Sequence, residues 1–269
     1  MNKLRWARRL VSGARRRYMR ATSNFAIQHF PERQELIDKV TAIHGWLNHV
    51  TLVRTLDILA GQGKMGVTGN LMEIGVFCGK YFSALTHDAM QTDVKVLGID
   101  TFQFASIGRV ERELMAALGR DSLNHTILWE RDSTKVTAAQ VIDAIGRPRF
   151  ISIDGAHDVD SVLQDLNLGE SIISDDGIIA LDDFLNPLTL GVNQAINAFL
   201  GSPRTLVPVA YISNKLFLAH QSRAADYRTL IEAAIVSGPE PESALFRQNL
   251  MHGRDHVEQL FFGHSVLLS

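Results

Sequence analysis

Two short segments concentrate the residues best able to do chemistry, Ile153-Asp-Gly-Ala-His157 and Leu181-Asp-Asp-Phe184. Each begins where a strand-length apolar run ends, Arg149–Ile153 in the first case and Gly177–Leu181 in the second. In an open α/β sheet the C-terminal strand ends line the ligand crevice, so Asp154, His157, Asp182 and Asp183 converge on one place. Three carboxylates in one cleft repel each other, and a cation or raised pKa values must relieve the repulsion. Hard oxygen ligands with open positions suit Mg²⁺, or Mn²⁺ where the imidazole also coordinates. The competing reading makes Asp154 and Asp183 helix caps and His157 a satisfied loop residue.

Upstream, Glu73-Ile-Gly75-Val-Phe-Cys-Gly79 closes one predicted strand and opens a helix. Glycines there let the backbone approach a ligand closely, and the helix N-terminus offers free N–H groups. The turn is not a phosphate-binding P-loop, because Gly79-Lys80 is followed by Tyr81 rather than Ser or Thr. Asp100 ends the next strand, where an acid lies beside the ribose of a nucleoside bound on the first turn. Asp132-Ser133 follows the third strand. A carboxylate there can accept from an adenine amino group, or it can cap a helix starting near Ser133 or Thr134.

Other candidates carry less. His252 and His256 stand one helical turn apart without the glutamate of a zinc protease between them, which reads as a surface pair. Cys78 lies inside the glycine turn with no base in view and reads as packing, and Asp175-Asp176-Gly177 reads as a turn. Trp46, with His44 and His49, is placed in helix packing ahead of an acceptor pocket.

The elements that must position these residues alternate in type. Strands are expected at Asn70–Ile74, Val94–Ile99, Thr126–Glu130, Arg149–Ile153 and Gly177–Leu181. Helices fall between them, near Gly79–Met90, Val110–Leu118, Ala138–Ile145, Val159–Ile173 and Val192–Leu200. Such alternation predicts right-handed βαβ units and a parallel sheet covered on both faces. Leu206–Ile212 and Lys215–Ala219 are separated only by Ser213-Asn214, too short for a crossover, so this pair must be antiparallel. Residues 31–59 carry a helical pattern through Leu36, Val40, Ile43, Leu47, Leu52, Leu56 and Leu59, and Ala224–Val236 reads as a further helix.

The chain has 269 residues, 46% hydrophobic and 21% charged, which suits one α/β domain with terminal additions. One cysteine excludes an intrachain disulfide, and no apolar run nears the roughly 20 residues of a membrane span. The N-terminus lacks the apolar core of a secretory signal, and the expected setting is cytoplasmic. The net charge of −2 is unevenly spread: Lys3, Arg5, Arg8, Arg9, Arg15, Arg16, Arg17 and Arg20 all precede the first acid, Glu32. The remaining body is acidic, which argues against a nucleic-acid enzyme. Residues 3–20 read as a basic amphipathic helix, for which a solvated arm, a subunit contact and peripheral contact with anionic membrane all compete. The expected division is a basic arm at 1–30, an α/β domain at 31–220 and a helical extension at 221–269.

In this order, Glu73–Gly79, Asp100, Asp132-Ser133, Ile153–His157 and Asp182-Asp183 resemble class I S-adenosylmethionine-dependent methyltransferases. More narrowly they resemble the metal-dependent small-molecule O-methyltransferases that include macrolide- and aminocoumarin-sugar enzymes. Gly191-Val192 opening a helix and Asn214-Lys215-Leu216 opening the last strand are similar to the same group, and the resemblance spans about residues 65–220. It implies a Rossmann-like, seven-stranded, mostly parallel sheet with an antiparallel last strand and helices on both faces. It further implies that Glu73, Gly75, Gly79, Asp100, Asp132 and Ser133 hold S-adenosylmethionine, and that Asp154, Asp182 and Asp183 hold Mg²⁺ or Mn²⁺. His157 is then the base for a hydroxyl of a small molecule or sugar. Two alternatives are a metal-independent N- or C-methyltransferase and a non-catalytic cofactor-binding scaffold anchored by the arm. Homo-oligomerisation through arm and tail is compatible with each.

Overall fold

A computed structural model describes residues 31–269; the basic arm and its expected helix lie outside these residues. The α/β body runs β1 (Leu71–Ile74), α3 (Lys80–Thr92), β2 (Val96–Asp100), α4 (Ile107–Leu118), β3 (Thr126–Glu130), α5 (Ala138–Ile145), β4 (Phe150–Ile153), α6 (Val159–Ile172), β5 (Ile178–Leu181) and α7 (Leu190–Leu200). It is preceded by α1 (Pro31–Ala42) and α2 (His49–Lys64). The five strands are parallel in the order β3-β2-β1-β4-β5, so the chain reverses direction across the sheet between β1 and β4. Ligands bind at such a switch point in open α/β sheets.

β6 (Leu206–Ile212) and β7 (Lys215–His220) form the expected antiparallel hairpin, turning at Ser213 with φ +57°. β7 inserts between β5 and β6, completing the seven-stranded arrangement. Apart from the edge strand β3, these strands are buried on both faces, so each alternates between two apolar layers. Leu71, Phe150 and Ile178 face α2, α3, α4 and α8 (Ala224–Ser237), while Met72, Ile151 and Ile179 face α5, α6 and α7.

Two expectations are corrected. The helical pattern over 31–59 is broken: residues 43–48 leave the helix at Gly45 (φ +139°), and Asn48 restarts it by accepting the Val50 N–H at 2.8 Å. The tail at 221–269 is not wholly helical. After α8 and α9 (Pro241–His252), β8 (Glu258–Phe261) and β9 (His264–Leu268) extend the sheet to nine strands. Phe262 and Gly263, both at positive φ, reverse the chain, and β9 pairs parallel with the otherwise open edge of β6. Pairing that edge and burying Val266 and Leu267 outweigh any helical preference in so short a segment. Arg54, fully buried on α2, bonds Asp57 at 2.6 Å, Ser243 at 2.7 Å and the Glu240 carboxylate, locking the tail onto the body.

Candidate active site

Beyond β1 the chain can turn only because residue 75 is glycine. Its φ is +88°, and a Cβ there would lie 1.8 Å from the Asp154 carbonyl oxygen. This close approach brings the ends of β1 and β4 together. Asp100, at the end of β2, accepts the Phe77 N–H at 2.8 Å and the Phe102 N–H at 2.7 Å. Phe77 and Phe102 both have left-handed backbones (φ +50° and +53°), so this carboxylate holds two strained turns at once. Each of its oxygens keeps a second lone pair for a ligand.

Glu73, Gly75, Asp100, Asp132, Ser133, Asp154, His157, Asp182 and Asp183 all line one cavity of 1210 Å³. That exceeds the usual 300–1,000 Å³ of a one-ligand pocket and leaves room for two molecules side by side. Gly79 does not line the cavity; it starts α3 at φ +87° and faces Val110. Asp132 uses one oxygen to accept the Thr134 N–H (2.9 Å) and hydroxyl (2.6 Å), which holds its pKa below the ordinary carboxylate value. Capping is therefore the role its hydrogen bonds display. Glu73 is fully buried, Oε2 has no hydrogen-bond partner, and burial pushes its carboxyl well above the usual range.

On the other side of the cavity Asp154, His157 and Asp183 each bring a ligand atom within 4.8 Å of the others. His157 Nε2 lies 3.3 Å from Asp183 Oδ2 and 3.9 Å from Asp154 Oδ1. The carboxyl of Asp154 raises the imidazole above its ordinary value, against burial and with help from Asp183. Burial and the nearby Asp182 push Asp154 itself up to about 7. Neither Asp154 nor Asp183 caps a helix. Asp158 caps α6 by accepting the Ser161 N–H, and Asp183 instead accepts from the Asn186 side chain at 2.8 Å. Gly191 lets α7 press against this loop, since a Cβ there would sit 2.3 Å from the His157 carbonyl oxygen.

Asp182 departs from its neighbour. One oxygen meets Lys215 Nζ at 2.7 Å, and the other accepts from the Asn214 side chain and from the Asp183 N–H at 2.9 Å. Burial is the largest influence and opposes the charge, but Lys215 together with hydrogen bonds from Asp154 and the Asp183 N–H keeps Asp182 below its ordinary value. The sequence reading places Lys215 only within Asn214-Lys215-Leu216 at the start of the last strand and gives it no role at the site. The available signal was a cation opening an apolar strand directly across from a double aspartate.

Trp46 was also misplaced. It is 90% exposed at the cavity wall, nearly parallel to Phe77 with ring centroids 6.1 Å apart. Phe104, Leu185 and Leu188 are exposed around the same opening. On the Asp183 side, Phe184 packs edge-on to Tyr211 at 5.6 Å and against Phe261 of β8 at 5.4 Å.

Residues 72–184 match the Methyltransf_24 family, described as a methyltransferase domain. No curated protein sequence matches the chain. Among solved structures, the chain is similar to CalS11, described as a TDP-rhamnose 3'-O-methyltransferase of calicheamicin biosynthesis. Identity is 19%, with 72% of this chain and 96% of that one covered at a TM-score of 0.50. It is similar also to the O-methyltransferase NovP (14% identity, 62% and 78% covered, TM-score 0.51). A third is cofactor-bound Rv0187 from MTB (13% identity, 71% and 90% covered, TM-score 0.51). Together these comparisons show that residues 72–184 are similar to a methyltransferase domain and that the chain shares the α/β fold of these O-methyltransferase structures.

Proposed function

We propose that this protein is an S-adenosylmethionine-dependent O-methyltransferase for a hydroxylated small molecule or sugar, assisted by a divalent cation and with His157 as base. The observation that carries the reading is the single cavity shared by the Asp100-clamped glycine turn and the Asp154–His157–Asp183 cluster. S-adenosylmethionine brings a methyl group already activated as a sulfonium, so the protein's work is to position and deprotonate the acceptor.

On this reading Gly75 and Asp100 form the nucleoside side, with Ser133 and Asp132 at its rim. Asp154 and Asp183 are the carboxylates that suit a divalent cation. A half-buried acid pushed up to about 7 by desolvation and by a like charge is relieved by a metal, which supports the fit. Mg²⁺ or Mn²⁺ there supplies Lewis acidity that stabilises negative charge developing on an acceptor oxygen. His157, 46% exposed in its side chain, faces the open part of the cavity and is available to take the acceptor proton. Asp183 orients the imidazole, as a carboxylate beside a general base does. The exposed Trp46, Phe104 and Leu188 favour an acceptor with an apolar body. A second reading is favoured by the distances themselves: His157 Nε2 is close enough to both carboxylates to be a third ligand.

The test is a labelled-methyl screen against hydroxylated metabolites with Mn²⁺ or Mg²⁺ added. Asp183→Ala or EDTA should abolish turnover while S-adenosylhomocysteine binding survives. Undiminished turnover after metal removal refutes metal assistance. His157→Ala that loses turnover but keeps Mn²⁺ affinity identifies the base, whereas lost Mn²⁺ affinity identifies a ligand.

A further inference from the structure

Apolar side chains gather at the cavity mouth from three separate loops. Trp46 stands on the loop at 43–48, Phe104 follows β2, and Leu185 and Leu188 follow β5, all of them between 58% and 90% exposed. Each loop is pinned with these side chains outward. Lys80 donates to the Gly45 carbonyl at 2.9 Å and Asn48 caps α2, which fixes the first loop. Asp100 holds Phe102 two residues before Phe104, and the Asn186 side chain accepts the Leu188 N–H at 2.9 Å while donating to Asp183. Leu185 sits at φ +66°, a left-handed backbone that leucine adopts only under constraint. Exposed apolar residues are ordinary when scattered singly, but several held outward around one opening mark a contact surface.

Charge indicates what covers that surface. Eight of the 27 basic residues precede Pro31 and all 29 acids follow it, so the arm carries a formal +8 and residues 31–269 carry −10. A second copy would bring another acidic body against the first, and the apolar rim offers the arm's own arginines nothing to pair with. α1 joins the arm directly to the Trp46 loop, with a rise of about 18 Å over its length, so the cations are tethered close to the mouth. A lipid surface answers both features at once. Acyl chains take up the leucines, the headgroup layer suits the indole, and anionic lipids attract the arm against the repulsion of the acidic body. We propose that the cavity mouth docks on an anionic membrane surface, with Trp46, Phe104, Leu185 and Leu188 entering the interface and the basic arm supplying the electrostatic attraction. Both features are needed, because stable interfacial binding takes two signals. The docking goes beyond methyl transfer and stands without it; resting on the reading above, an acceptor with an apolar body then enters the cavity from the bilayer.

The experiment is co-sedimentation of the full chain with extruded vesicles at low salt, without cofactor or metal. Vesicles of phosphatidylcholine and phosphatidylglycerol should bind wild type at least about tenfold more tightly than phosphatidylcholine alone. Trp46→Ser with Leu188→Ser, and separately Arg15→Gln with Arg16→Gln and Arg17→Gln, should each weaken binding to the anionic vesicles at least about tenfold. Met251→Ser, which alters an exposed residue of α9 outside the cavity, should stay within about twofold. A chain with Trp6→Phe and Trp129→Phe keeps Trp46 as the one remaining tryptophan of three, and brominated acyl chains in the vesicles should quench it. No binding by wild type, or no quenching of Trp46, overturns the proposal. So does binding that the arm variant loses and the rim variant keeps, since the arm then binds by itself. Equal losses in Met251→Ser and the rim variant reveal general stickiness and overturn it too. Light scattering that shows a dimer abolished by the rim substitutions identifies a second copy as the occupant and overturns lipid docking. S-adenosylhomocysteine calorimetry on the same protein tests the methyl-transfer reading separately, so either can fail alone.

Discussion

Asp165 offers a test of the fold's electrostatics that is independent of any ligand. It sits on α6 with 1% of its surface exposed, under Gly155 and near Ser133, and neither oxygen has a hydrogen-bond partner of ordinary geometry. Burial, only partly offset by Ser133, pushes its carboxyl up to about 7. In the unfolded chain it titrates near about 3.9. Below that value both states are protonated and folding carries no charge cost. As pH rises from about 4 to about 7 the unfolded state ionises first, and stability falls by about 1.4 kcal/mol per unit. Above the folded value the cost levels off at about 4 kcal/mol. Asp165→Asn keeps the shape and removes the charge. Its thermal midpoint, followed by circular dichroism from pH 4 to 8.5, should match wild type at the acid end. It should exceed wild type by about 8–16 °C at the alkaline end, at about 2–4 °C per kcal/mol for a chain of this size. Parallel midpoint curves for the two proteins would refute the buried-charge argument.

Three further outcomes follow from the geometry. Asp100→Ala removes two charge-assisted hydrogen bonds from the glycine turn, each worth about 1.5–3 kcal/mol, and should weaken S-adenosylhomocysteine binding at least about thirtyfold by calorimetry. Gly75→Ala drives a Cβ into the Asp154 carbonyl and should destabilise the fold by more than about 3 kcal/mol, while Gly63→Ala, with nothing within 4 Å, should be harmless in the same melts. Asp154 must lose its proton to hold a cation, so Mn²⁺ affinity should climb about tenfold per pH unit below its value of about 7 and flatten above it. A flat affinity between pH 5.5 and 8 would exclude Asp154 as a ligand.

The parallel body was legible because four of its five strands, β1, β2, β4 and β5, are short apolar runs closed by Asp or Gly, and each such closure marks a turn with a physical reason. The antiparallel hairpin was legible from a two-residue link alone. What escaped has equally physical causes. The break at Gly45 was hidden because apolar residues continue at helical spacing on both sides of it, and the interruption is set by backbone geometry and the Asn48 cap. The β8–β9 hairpin depends on the open edge of β6, a feature of the assembled sheet that no local window contains. At the site, the acids were found by type and position, but their separate environments were not. Asp182 and Asp183 are adjacent in sequence, yet one meets a buried ammonium supplied by a strand 33 positions later and the other meets His157.

The late hairpin also bears on how acceptor preference could diversify. Ser269 exchanges hydrogen bonds with Tyr211 and Ser213, at 3.0 and 2.8 Å, and both of those residues wall the cavity. Phe261 rests on Phe184, the immediate successor of Asp183. The glycine turn has no part in these contacts. A graft that exchanges residues 258–269 would therefore reshape one wall while leaving the Asp100-clamped glycine turn intact, so under the proposed function this segment is a natural cassette for changing the acceptor.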